Sequence, residues 1–211
     1  MRIGIIGSGM IGGTAARLFA RAGHEVAVSN SRGPASLEPL VAEIDREAGA
    51  ARARAVTVAE AAAFGEVVLL AVPWRSPEAL PAPAAVAGKI VVDAMNPYAA
   101  GGGIQDLGDS SSSEETARRL PGARLVKAFN TIYFEHLAKQ GRPDLPLDER
   151  RAIFVAGDDA GAKGMVTALI EELGFAAVDT GSLRDGGRKQ EPGTAVYNRT
   201  ITAREARALL A

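Results

Sequence analysis

The sequence predicts an α/β fold built on a parallel sheet, and three observations predict it. Short, β-branched apolar runs alternate with longer alanine-rich or amphipathic segments, the pattern of strand–helix–strand units. The apolar runs, Val67–Val72 among them, are far shorter than the ~18 residues of a membrane helix and suit strands buried on both faces. The first run, Ile3-Gly4-Ile5-Ile6, leads into Gly7-Ser8-Gly9-Met10-Ile11-Gly12, a G-x-G-x-x-G turn that opens a helical stretch. The fold class is therefore α/β: a Rossmann-type parallel sheet with a small C-terminal α/β domain.

Taken in order, strands are expected at about 2–7, 25–30, 54–58, 66–72, 89–94, 124–129, 152–156 and 176–180. Helices should fill about 10–22, 34–48, 113–120, 160–173 and 202–210. Ser112 with Glu115, and Thr202 with Glu205, have the spacing of capping boxes. The Gly- and Ser-rich stretch 98–112 reads as a mobile loop, 139–150 as a polar surface connection, and Arg184–Thr194 as a loop before the last helix. No internal repeat is present. The expected division is 1–125 for the dinucleotide-binding part and 126–211 for a small C-terminal part completing an acceptor cleft, with a soft boundary if the two share one core.

Composition narrows the function. The chain has 211 residues, enough for one good core or a Rossmann unit with an appendage. A formal net charge of −1 gives no overall basic field for nucleic acid. With no cysteine there is no disulfide scaffold, thiol nucleophile or thiolate-ligated metal. The two histidines, His24 and His136, lie far apart, so no metal site is expected. The N-terminus lacks the pattern of a signal peptide. A cytoplasmic protein without a membrane partner is the expectation.

The glycine turn carries the first chemical inference. Gly7 permits a tight turn, Gly9 lets the backbone approach a pyrophosphate, and Gly12 lets the helix pack on the sheet. Free N–H groups at that helix start would then face the phosphates. Cofactor choice is made at the end of the second strand, where a carboxylate usually holds the ribose of NAD. This chain has Ser29-Asn30-Ser31-Arg32 there. Arg32 offers a guanidinium fork matched to a 2′-phosphate, and Asn30 and Ser31 add donors, so NADP(H) is predicted over NAD(H). As a plain loop arginine, Arg32 would carry no such preference.

Ligands in open α/β sheets sit beyond the C-terminal strand ends. Three segments stand there: Val72-Pro73-Trp74, Asn96-Pro97-Tyr98 and Asn130-Thr131-Ile132. Each could line the nicotinamide end of a cleft. The prolines could equally just end strands, Trp74 could be core, and Asn130 could be a turn residue. No Ser-His-Asp set fits these strand ends. His24 falls in a turn at the opposite sheet edge and His136 in a helical turn past Asn130, both read as structural. Lys127 lies on a predicted strand. No catalytic residue is assigned. A site poor in general acids suits hydride transfer between two aligned rings.

Gly7–Gly13, Ser29–Arg32, Val92–Pro97, Val126–Ile132 and Val155–Asp159 together resemble the NADP oxidoreductase family typified by the NADPH-dependent reductase of coenzyme F420, a deazaflavin. The resemblance spans nearly the whole chain. It implies a homodimer in which NADPH lies over the strand ends and the deazaflavin stacks near the nicotinamide, between the two domains. The pro-S hydride would pass between nicotinamide C4 and deazaflavin C5. Ser8, Met10, Ile11, Ser31 and Arg32 would hold NADPH, and Val72, Pro73, Asn96 and Pro97 would approach its nicotinamide half. Archaeal members carry histidine where this chain has Asn130, and differ over Arg188–Thr194. The Asn-Thr-Ile run also resembles the cytosolic domain of membrane metalloreductases, which pass hydride from NADPH to a flavin. The acceptor thus stays open between F420, another flavin, a quinone and a small carbonyl or imine; a non-catalytic NADP(H)-binding sensor is the reading of another class. Arg188 and Lys189 are the candidates to meet an anionic deazaflavin tail.

Overall fold

A computed structural model describes residues 1–211. Eight strands form one sheet: β1 (Arg2–Ile6), β2 (Glu25–Ser29), β3 (Ala53–Ala55), β4 (Val67–Leu70), β5 (Ile90–Asp93), β6 (Arg124–Ala128), β7 (Ala152–Gly157) and β8 (Ala176–Gly181). Their spatial order is β3-β2-β1-β4-β5-β6-β7-β8. The order doubles back at β1, where β2 pairs on one side and β4 on the other, so a crevice opens above that point.

The strands are apolar throughout because both faces are covered. Val67 and Leu69 of β4 enter one core cluster, and Val68 and Leu70 the other, as the two-residue strand period requires. The larger cluster lies under α1 (Met10–Arg21), α2 (Glu38–Ala48), α6 (Phe134–Lys139) and α7 (Ala160–Glu172). The smaller lies under α3 (Val58–Phe64), α4 (Pro83–Val86) and α5 (Ser112–Arg119). A third cluster joins β7 and β8 to α9 (Ala203–Leu210).

Several expectations need correction. The sheet is not wholly parallel: β7 runs antiparallel to β6, with Val126 opposite Gly157 and Ala128 opposite Val155. The connection between them, residues 129–151 with α6 inside it, leaves and re-enters the sheet at the same end, so β7 runs back alongside β6. Residues 56–64, read as the end of a strand and a connection, hold α3, whose Thr57–Glu60 capping box is plain in the sequence. The helix expected at 34–48 divides into a 3-10 turn, Pro34–Leu37, and α2. The box capping α5 is Ser111 with Glu114 rather than Ser112 with Glu115. The Thr202–Glu205 box caps α9 as predicted. The stretch 184–194 contains a short helix, α8 (Asp185–Lys189), despite Gly186 and Gly187. Those glycines serve packing: a Cβ on Gly186 would lie 2.7 Å from the Thr180 carbonyl carbon, and one on Gly187 2.9 Å from Ser113 Oγ.

No helix is long and apolar enough to cross a membrane.

Candidate functional site

The turn after β1 is built as its glycines require. Gly7 has φ +104°, a conformation side chains resist, and a Cβ there would lie 2.3 Å from the Ala71 carbonyl oxygen. A Cβ on Gly12 would lie 1.8 Å from the Gly7 carbonyl oxygen, so Gly12 lets α1 start against the turn. Gly9 differs: nothing stands within 4 Å of its Cβ position. That open space faces the start of α1. The first bond of the helix runs from Gly13 N to Gly9 O, and no side chain caps it. The N–H groups of Met10, Ile11 and Gly12 are left pointing past the helix end, and no acidic residue sits in the first turn. The arrangement fits an anion.

A cleft of about 840 Å³ opens there. Gly7, Ser8, Gly9, Met10 and Ile11 form one wall, Asn30, Ser31 and Arg32 a second, and Val72, Pro73, Trp74 and Asn96 a third. Asn30 latches the first two: its Nδ2 donates to Ser8 Oγ at 3.3 Å and Ser36 Oγ at 3.0 Å, while its Oδ1 accepts from Arg32 N at 2.9 Å. The side chain thus shapes the loop that presents Arg32. The Arg32 guanidinium is exposed and engages no carboxylate. Arg75, not singled out from the sequence, is a second exposed guanidinium on the cleft wall.

Three predicted residues lie off the wall. Gly12 is buried behind the turn. Pro97 is buried, its carbonyl accepting from Gln105 N at 2.7 Å. Asn130 is 4% exposed. Its Nδ2 donates to Asn96 Oδ1 at 3.1 Å and to the Gln190 carbonyl at 2.9 Å, while its Oδ1 has no partner. Asn130 therefore acts on the cleft through Asn96. Phe129, just before it, has φ +64°, an outlier for a bulky residue. This turn aims Asn130 at Asn96 while the Phe129 ring packs edge-on against Phe19 at 6.3 Å.

Trp74 is largely core: its Nε1 donates to Gln105 Oε1 at 3.1 Å and the Arg119 guanidinium lies 4.7 Å from its ring centroid. The stretch 98–112 is folded back by a bridge between Tyr98 and Ile104. Beneath the cleft floor, Lys127 and Asp93 form a fully buried ion pair at 3.2 Å. Lys127 also donates to the Met95 carbonyl, and Asp93 Oδ1 accepts from Met95 N at 2.9 Å. The pair clamps the β5 end. His24, at the far sheet edge, bonds Glu172 of α7 at 2.8 Å and is structural. His136 lies on α6 with its Nδ1 buried, off the cleft. Arg188 is spent on the Gly108 carbonyl at 2.6 Å, and neither it nor Lys189 lines the cleft.

Tyr98, in the Asn96-Pro97-Tyr98 segment expected at the cleft, and Tyr197, which sequence reasoning missed, meet at the cleft's far end. Tyr98 lines the cleft, and its hydroxyl lies 2.8 Å from that of Tyr197. Asn96 Nδ2 donates to the Asn130 carbonyl at 2.9 Å and to Tyr197 Oη at 3.3 Å. Burial and the bond to Tyr98 hold the Tyr197 phenol well above its ordinary range, so it stays protonated. Tyr98 was visible beside Asn96-Pro97; Tyr197, 99 residues further on, had no local signal.

A mostly parallel sheet, a strand–glycine-turn–helix unit and a cleft over the strand ends place the chain among Rossmann-like α/β proteins. Residues 2–97 match the profile of the family described as NADP oxidoreductase, coenzyme F420-dependent. The N-terminal part of the chain is thus similar to this family of NADP oxidoreductases. A hypothetical protein from Sinorhizobium meliloti is 34% identical and superposes with a TM-score of 0.79, over 96% of this chain and 95% of that one. A provisionally assigned F420-dependent NADP reductase from Arthrobacter sp. FB24 is 29% identical, with a TM-score of 0.73 over 96% and 99% of the two chains. Metalloreductase STEAP3 of Rattus norvegicus is 30% identical over 185 residues, 86% of this chain. The chain spans about a third of that relative, 34% of its length.

Proposed function

We propose that this protein transfers a hydride between NADP(H) and the deazaflavin coenzyme F420. The observation that carries the donor half is the cleft joining an open Gly9, an uncapped helix start and an unpaired Arg32. The N–H groups of Met10, Ile11 and Gly12 would receive the pyrophosphate, with Ser8 beside them. Ser31 and Arg32 would take the 2′-phosphate, and Val72, Pro73 and Asn96 would border the nicotinamide. When bound, the nicotinamide supplies or accepts the hydride. The similarity of residues 2–97 to the F420-dependent family and the likeness to the Arthrobacter neighbour support the F420 half.

Residues 126–211 would complete the acceptor side, since Tyr197 and Gln190 reach Asn96 and Asn130. An ordinary flavin acceptor is the second reading, favoured by the 30% identity to a metalloreductase. Stopped-flow mixing of the NADPH-loaded protein with F420, FMN, FAD and a quinone tests both. Prompt bleaching of F420 alone is expected. Transfer to FMN or FAD without transfer to F420 would replace the first reading by the second.

A further inference from the structure

We infer that Tyr98, aligned by Tyr197, Asn96 and Asn130, is the proton donor to the hydride acceptor; the inference rests on the reading that the acceptor meets the nicotinamide beside Asn96. The hydrogen bonds leave little freedom in direction. Asn130 Nδ2 donates to Asn96 Oδ1, which fixes the Asn96 amide. The two hydrogens of Asn96 Nδ2 then go to the Asn130 carbonyl and to Tyr197 Oη. Tyr197 Oη accepts from Asn96 and lies 2.8 Å from Tyr98 Oη; either hydroxyl can donate in that pair, and we assign the donated hydrogen to Tyr197, in keeping with its raised proton affinity. The Tyr98 hydrogen is the one left over. Tyr98 lies on the cleft wall, 41% exposed, so that hydrogen is available to a bound molecule and the site can exchange protons with water.

This end of the chain is held for the purpose. Asn198 N donates to the Thr131 carbonyl at 3.0 Å, and Asn198 itself takes φ +54°, a turn that sets Tyr197 against Asn96. The raised affinity of Tyr197 for its proton keeps it a donor over the working range.

Hydride transfer leaves negative charge on a conjugated acceptor, which such a group can neutralise. The C–H bond of the reduced nicotinamide breaks and its electron pair forms a new C–H bond on the acceptor. The nicotinamide is thereby oxidised and the acceptor reduced. The negative charge arriving on the acceptor's conjugated nitrogen or carbonyl oxygen takes the Tyr98 proton. The phenolate left behind is stabilised by the Tyr197 hydroxyl and regains a proton from water. The reverse direction runs the same steps backward. A deazaflavin, a flavin and a carbonyl all present such a heteroatom, so the chain selects for acceptors with a polar edge next to the reacting carbon.

The test compares the wild type with Tyr98→Phe and Tyr197→Phe, using NADPH with F420, and FMN and cyclohexanone in parallel. Tyr98→Phe should slow hydride transfer roughly a hundredfold. It should also remove both the slowing in D2O and the alkaline fall in rate. Tyr197→Phe should slow transfer several-fold and move the alkaline limb to higher pH, because the Tyr98 phenolate loses a hydrogen bond. NADPH affinity should stay within about twofold in both. Fluorescence titration, which needs no turnover, should give roughly three- to tenfold weaker binding of oxidised F420 to Tyr98→Phe, the worth of one neutral hydrogen bond. A Tyr98→Phe protein with wild-type rate, solvent isotope effect and F420 affinity overturns the tyrosine assignment and leaves the proposed function intact. Transfer to another acceptor but not F420 overturns the F420 reading, and the same variants then judge Tyr98 on that acceptor. Transfer to none of the three overturns both.

Discussion

Arg32 and Gly9 show how little a single residue must do when the backbone has done the rest. Arg32 makes no ion pair, and Asn30 fixes the loop beneath it. A charge-assisted contact of this kind is worth roughly ten- to a hundredfold in affinity. Arg32→Ala should therefore weaken NADPH by that factor and spare NADH, as calorimetric titration of both would show; equal losses would remove Arg32 from the 2′-phosphate. Gly9 and Gly12 make opposite predictions although they share one motif. The Gly9 Cβ position is empty and its φ of −70° suits any residue. Gly9→Val should thus keep the melting temperature while NADPH affinity falls roughly tenfold or more. Gly12→Val drives a side chain into the Gly7 carbonyl and should lower the melting temperature first. A Gly9→Val protein that binds like the parent would move the nucleotide away from this turn.

At the scale of elements, the site depends on how β5 and β6 end. Lys127 and Asp93 pair where Asp93 sits opposite Lys127 in the parallel register, and both hold Met95. The pair is fully buried, so removing one partner strands a charge in a dry interior. Lys127→Met should cost about 3–5 kcal/mol, seen as roughly 6–20 °C in melting temperature. Adding Asp93→Asn removes the stranded charge while keeping an acceptor for Met95 N, and should restore part of the loss. A single mutant as stable as the wild type would show that the pair holds nothing together. Capping boxes were legible where side chain and spacing agree, as at Thr202, and Thr57 carried the same signal. Four consecutive serines left the α5 start ambiguous by one residue; the reciprocal bonds between Ser111 and Glu114 settle it.

At the scale of the molecule, the sheet runs without a break from β3 to β8, and one core cluster takes Ile3, Val126 and Phe175 together. The His24–Glu172 bond likewise ties the first βαβ unit to α7. The two parts should unfold as one. Trp74, the sole tryptophan, reports on the N-terminal part, and far-ultraviolet circular dichroism reports on the whole. Their urea transitions should share a midpoint. An earlier tryptophan transition would mean that residues 1–125 melt by themselves.

The sequence by itself determined the strand–glycine-turn–helix unit, the places of the eight strands along the chain, and the absence of a carboxylate at the β2 end. These are local: each follows from residue type and spacing within about thirty positions. Tertiary structure alone decided three further matters. It turned β7 antiparallel to β6, because strand direction depends on where a connection returns and not on strand composition. It took Asn130 off the cleft wall and set it behind Asn96, which lines the wall as expected. It brought Tyr197 to Tyr98 across 99 residues, a contact set by packing of the C-terminal segment on the strand ends, which no periodicity or spacing encodes.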